Sequence, residues 1–133
     1  MKKILILLLL ISSTNVFAEW TEINKNTGIG IDGVRAYVDF GTVKKKGNKV
    51  TMWHLYDLET VHILEKLRYL SEAHRDEFDC EETTVRRLDF YLYDENVNKQ
   101  GNVVYSQTNI NSIISIVPNS FDELLLKIAC DMK

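Results

Sequence analysis

The chain is poor in proline and in cysteine, with one proline, Pro118, and two cysteines, Cys80 and Cys130, in 133 residues. Scarce proline beside 45% apolar residues argues against a disordered segment. The wide spacing of the two cysteines excludes a C-x-x-C redox motif, and neither is surrounded by further ligands at metal-binding spacing. A basic stripe is also lacking. The formal charge is −3, and it becomes −5 once Lys2 and Lys3 are removed. An acidic chain is repelled by phosphates and by anionic bilayers, so no nucleic-acid partner is expected. No long apolar run follows residue 11, so no membrane span is expected in the mature chain.

Catalytic signatures are missing too. There is no G-x-S-x-G, no H-E-x-x-H and no phosphate-cradling loop. His54, His62 and His74 stand at no recognised spacing with a nucleophile or a second ligand. His62 with Glu65, and His74 with Asp76 and Glu77, come nearest to a ligand set, but a solvated polar run accounts for them more simply. The acidic cluster of Asp76, Glu77, Asp79, Glu81 and Glu82 lacks the glycine turn and ligand order of an EF-hand loop. The expectation is a protein that is not an enzyme and that needs no cofactor or metal.

The N-terminus carries a strong positive signal. Met1-Lys2-Lys3 is a short basic region, Ile4 to Ile11 an unbroken apolar run, and Ser12 to Ala18 a small polar stretch ending Val16-Phe17-Ala18. This is the pattern of a secretory signal peptide spanning 1–18, cut after Ala18. The apolar run is shorter than the roughly 20 residues a spanning helix needs. No cysteine stands at the cleavage point, so no lipid anchor is expected there, and the mature domain, 19–133, is placed in the periplasm, in the medium or at the cell surface. In such an oxidising compartment two cysteines pair, so a Cys80–Cys130 disulfide is expected.

Ser120 opens the clearest helix. It can cap the N–H of Glu123, whose carboxylate can reach back to it. Phe121, Leu124, Leu125, Ile128 and Met132 form an apolar stripe flanked by Leu126 and Ala129, with Cys130 at its edge. The clearest hairpin surrounds Gly47-Asn48. With Lys46 and Lys49 as partners, regular pairing sets Phe40 opposite Leu55 and Thr42 opposite Trp53. Val34, Ala36, Val38, Phe40, Trp53 and Leu55 then share the core face. Tyr37, Asp39, Val43, Val50, Met52, His54 and Tyr56 share a mixed face, and a bulge would exchange the two. Strands are also predicted at Cys80–Tyr93, Asn102–Thr108 and 110–117, with a polar loop at 94–101. Residues 59–74 suit a helix or a strand equally. The fold class is α+β: an antiparallel sheet of about six strands, a C-terminal helix on one face, and a disulfide tether.

These residues, taken in order, resemble the surface-adhesin protein E family of Gram-negative bacteria. The resemblance runs through Trp20, Tyr37-Val38-Asp39, the basic turn Lys44 to Asn48 and the strand Val50 to Asp57. It continues through Phe78-Asp79-Cys80, Gly101-Asn102-Val103-Val104, Val117-Pro118-Asn119-Ser120 and the helix to Cys130. Ile113, Ile114 and Ile116 stand where the family typically carries a tryptophan. The resemblance implies a sheet that holds the helix on its concave face and a strand over much of Tyr69 to Cys80. It also implies adhesin-type binding of a protein or polysaccharide ligand, such as a host extracellular-matrix protein. The alternative is a periplasmic structural or assembly partner with no host ligand. Lys44, Lys45, Lys46 and Lys49 are the candidate ligand contacts, weighed against a plain role in solubility and edge protection. Arg86 and Arg87, adjacent on a strand, should point to opposite faces.

Overall fold

The computed structural model describes residues 19–25 and 32–132, so the predicted leader and its cleavage site lie outside the described residues. Among the described residues, seven strands and one α-helix follow in chain order: β1 (Trp20–Glu22), β2 (Val34–Lys46), β3 (Lys49–Leu64), β4 (Leu67–Asp79), β5 (Thr84–Tyr93), β6 (Val103–Gln107), β7 (Ser112–Ser115) and α1 (Phe121–Asp131). The strands form one antiparallel sheet in the order β1-β2-β3-β4-β5-β6, with β7 also paired to β5. This is the expected α+β layout. The ambiguous stretch resolves as strand: β3 and β4 meet at Leu64↔Leu67, and Glu65 turns the chain at φ 57°. The helical spacing of Ile63 misled because that residue projects at the hairpin tip, 66% exposed, and faces no core.

The Gly47-Asn48 turn pairs Lys46 with Lys49 as expected. The register beyond it does not hold. Between Asp39 and Lys44 the pairing shifts, so Asp39 faces Trp53, Val38 faces His54 and Tyr37 faces Leu55. The physical cause is local. Asp39 Oδ1 accepts the Gly41 N–H at 3.0 Å, and Thr42 Oγ1 donates to the Asp39 carbonyl at 2.7 Å. Thr42 Oγ1 also accepts the Trp53 N–H at 3.1 Å. These side-chain bonds replace ladder bonds and hold a bulge. Because directly paired residues share a face, Ala36 and Val38 lie with Val50, Met52, His54 and Tyr56, not with Trp53 and Leu55. The expected face assignment is therefore corrected: the core face joins Ala36 and Val38 of the expected core face to Val50, Met52, His54 and Tyr56 of the expected mixed face, while Tyr37 and Asp39 lie with Leu55 and Trp53 on the other side.

That core consists of Val38, Val50, Met52, Phe78, Val85, Leu125 and Ala129, all fully buried, with Ile23, Val43, Cys80, Ile116 and Leu126 packed against it. Helix α1 covers it, and the buried line runs through Leu125 and Ala129, so Ala129 is central rather than flanking. Ser120 Oγ accepts the Glu123 N–H at 3.3 Å, as the capping pattern predicted. The Glu123 carboxylate instead accepts from Lys127 at 3.1 Å. Cys80 and Cys130 are bridged, with Cα atoms 5.7 Å apart, which ties the last turn of α1 to the sheet. Residues 80–83 form a turn rather than the start of β5, because Asp79 Oδ1 accepts the N–H groups of Glu81 and Glu82, each at 3.0 Å.

Candidate functional site

Three features merit a functional reading, and they lie in different parts of the sheet. The first is the lysine turn. Lys44, Lys45, Lys46 and Lys49 are all exposed at the β2–β3 tip. They are not an isolated basic patch, because the β4–β5 turn lies alongside. Asn48 Nδ2 donates to Glu81 at 2.7 Å, and Lys49 Nζ is 3.9 Å from Glu77. Lys44, Lys45 and Lys46 are left as the accessible cations of this tip. Three lysines at the end of a strand that carries a bulge also protect that edge from pairing.

The second feature is the sheet face opposite the helix. Its pairings align Trp20, Asp39, Trp53, Arg75 and Asp89 in a single row across β1 to β5. Tyr91 and Tyr93 lie on the same face, and the Trp53 and Tyr91 rings stand 5.8 Å apart. Arg75 Nε donates to the Asp89 carboxylate, which also accepts the Asn109 N–H at 3.3 Å. No α-helix lies on this face among the described residues; the loop 94–101, which includes a 3-10 turn at Val97–Lys99, folds over one end. There Asn96 Nδ2 donates to Asp57 Oδ1 at 2.9 Å and to the Leu58 carbonyl at 2.8 Å. A cleft of about 220 Å³ lies under the loop, lined in part by Trp20, Leu55, Tyr93 and Gln100. Aromatic faces, a guanidinium and carboxylates on an uncovered sheet can hold a ligand by stacking and hydrogen bonding. Alternation along each strand was readable from the sequence. The row was not, because it depends on the register of four strand pairings, including the bulge at Asp39.

The third feature lies beneath the helix and was missed by sequence reasoning. His54 Nε2 lies 2.6 Å from Asp76 Oδ2, and both side chains are fully buried. Arg87 Nη1 donates to the same oxygen, while Arg87 Nη2 donates to Asp122 Oδ2 at 2.8 Å. Arg86 points to the other face, towards Glu77 and Asn111, as strand alternation required. Aromatic rings surround the pair: His74 stacks on His54 at 5.0 Å, and Tyr56 lies 5.4 Å from His54. Burial holds the His54 imidazole below its ordinary pKa, although the bond to Asp76 opposes this. Burial alone would raise Asp76, but the bond to His54 and the attraction of Arg87 hold it below the usual carboxylate range. Burial also drives the Tyr56 hydroxyl well above its ordinary value.

An imidazole and a carboxylate this close invite comparison with a catalytic pair. The sealed position argues otherwise, since no substrate can reach a fully buried imidazole, and its partners are Asp76 and stacked rings rather than a hydroxyl or thiol. The His74, Asp76 and Glu77 set is also split, with Asp76 facing the helix side beside Arg87 and Glu77 facing the other side beside Arg86. His62 packs on Tyr69 at 5.8 Å, far along the β3–β4 hairpin. Among the described residues no three His, Cys, Asp or Glu side chains are grouped to hold a metal ion.

Fold and surfaces together define a small, disulfide-tied α+β domain with one sheet face under a helix and the other largely uncovered. The chain belongs to the surface-adhesin protein E family: residues 20–131 match the family described as Surface-adhesin protein E. Solved structures of Haemophilus influenzae protein E share the fold. Crystal form II superposes with a TM-score of 0.62 at 16% identity, covering 88% of this chain and 91% of that one. A second structure of the same protein gives a TM-score of 0.60 at 16% identity, covering 88% and 87%. Protein E from non-typeable Haemophilus influenzae gives 0.58 at 17% identity, covering 88% and 78%. No curated protein matches the chain in sequence.

Proposed function

We propose that this chain is an exported, non-enzymatic, adhesin-like binding protein that engages host extracellular or cell-surface macromolecules. The observation that carries this reading is family membership across residues 20–131. The surfaces support it. The uncovered sheet face offers Trp53, Tyr91 and Arg75, and the adjoining tip offers Lys44, Lys45 and Lys46 to an acidic protein or polysaccharide. The disulfide is of the kind that persists in exported proteins.

One observation favours the second reading, a periplasmic structural or assembly partner with no host ligand. Both cysteines are consumed by the bridge, so neither thiol is free for acylation. Protease shaving of intact cells, with detection of the protein before and after outer-membrane permeabilisation, separates the two. Digestion on intact cells, with binding of the purified mature protein to immobilised matrix proteins or glycans, supports the adhesin reading. Digestion only after permeabilisation replaces it with the periplasmic one.

A further inference from the structure

Helix α1 is attached to the sheet by unlike devices at its two ends. The last turn is held covalently through Cys130. The first turn is held by Asp122 on Arg87 and by Phe121 against Tyr56, with ring centroids 5.1 Å apart. Arg87 in turn depends on Asp76, and Asp76 on His54. An ionised Asp76 can only accept, so Nε2 of His54 must carry the proton it shares, which leaves Nδ1 as a bare lone pair. Nδ1 is buried and has no hydrogen-bond partner among the described residues, and neither has Asp76 Oδ1. A further proton on His54 would therefore sit on a buried nitrogen with nothing to receive it. It would also place a cation beside Arg87.

Every neighbouring element adds to this balance. Strand β2 places the apolar Val38 opposite His54 and Ala36 opposite Tyr56. Strand β3 contributes Tyr56. Strand β4 contributes Asp76, His74 and Glu72, whose carboxylate takes the His74 Nε2 bond at 3.2 Å. Strand β5 contributes Arg87, and α1 contributes Asp122. Of these, Asp76 alone is in direct contact with the His54 nitrogen, and its second oxygen is already unpartnered. If the first turn lifts, water reaches Nδ1 and the proton can be accommodated.

We propose that the first turn of α1 is an acid-released latch: on mild acidification it lifts from the sheet while the disulfide and the buried Leu125 and Ala129 keep the rest of the helix in place. The opening uncovers Tyr56 and His54, which continue an aromatic stripe already exposed at its far end, Tyr105. Tyr56, His54, His74 and Phe90 are in successive ring contact, and Phe90 continues to Tyr105 at 6.0 Å. A protein with this device presents a different surface in an acidic compartment from the one it presents at neutral pH.

Amide hydrogen exchange on the oxidised full mature domain tests this, with protection factors compared at pH 7.5, 6.5 and 5.5. The Glu123 and Leu124 amides, which bond to Ser120, should lose protection by up to about tenfold per pH unit below 6.5, the limit for uptake of one proton. Ala129 and the amides of β3 and β4 should keep theirs. His54→Gln retains a donor for Asp76 but cannot be charged, and should flatten the profile. Asp122→Asn cuts the latch outside the buried pair and should lower Glu123 and Leu124 protection already at pH 7.5. Three results overturn the proposal: pH-independent protection of Glu123 and Leu124, simultaneous loss in helix and sheet, or an unchanged acid response in His54→Gln. If that variant fails to fold, the wild-type profile and Asp122→Asn still decide.

Discussion

Breaking the Cys80–Cys130 bridge should cost more than any single contact the helix makes, and the structure allows the amount to be worked out. The bridge closes a loop with a sequence separation of 50. In the chain-entropy description such a loop restricts the unfolded ensemble by about 4 kcal/mol. The helix would still bury Leu125 and Ala129 and keep the Arg87–Asp122 bond, so a reduced protein should retain a weakened, partly docked helix. The expected loss is therefore about 2–4 kcal/mol, a large share of the roughly 5–15 kcal/mol available to a small domain. Urea unfolding of the oxidised protein, the reduced protein and a Cys80→Ser/Cys130→Ser variant measures it. Far-ultraviolet circular dichroism should show helix signal falling before strand signal. A loss below about 1 kcal/mol, or coincident helix and strand transitions in the reduced protein, would refute the view that the bridge is the main tie between α1 and the sheet. Two reactive thiols in denatured, unreduced protein would remove its premise.

Replacing Lys44, Lys45 and Lys46 with Ser should leave the melting temperature nearly unchanged, because exposed charges at a turn contribute little. If the tip takes part in binding, the variant should bind an acidic ligand more weakly and with a shallower salt dependence, whereas identical isotherms at two ionic strengths would exclude it. Stability should fall on acidification. His54 is depressed in the fold, so the unfolded chain takes up the proton first, and stability present above about pH 6.5 is lost as pH falls below it. Asp76, also depressed, adds a second loss below its ordinary 3.8; a urea midpoint that rises between pH 7 and pH 5 would contradict the buried-pair reading. N-terminal sequencing of exported protein should begin at Glu19, and a retained leader would contradict the cleavage assignment.

Much of the fold was legible in short-range patterns. The Ser120 cap and the apolar periodicity after it located α1, the Gly47-Asn48 turn located the central hairpin, and two cysteines in an exported chain located the bridge. Each depends on residues close in sequence or on a pairing with no competitor, so no three-dimensional information was needed. The tertiary structure decided the rest. The bulge held by Asp39 and Thr42 turned β2 over relative to β3, since a strand's period of two turns any odd shift in pairing into an exchange of inside and outside. That shift set Ala36 and Val38 on the side of His54, and Tyr37 and Asp39 on the side of Leu55 and Trp53. His54, Asp76, Arg87 and Asp122 come from four elements, and nothing in their spacing along the chain announces that they meet. Their contact exists only once strand register and helix docking are set, because a buried charge network is an outcome of packing and not of local sequence.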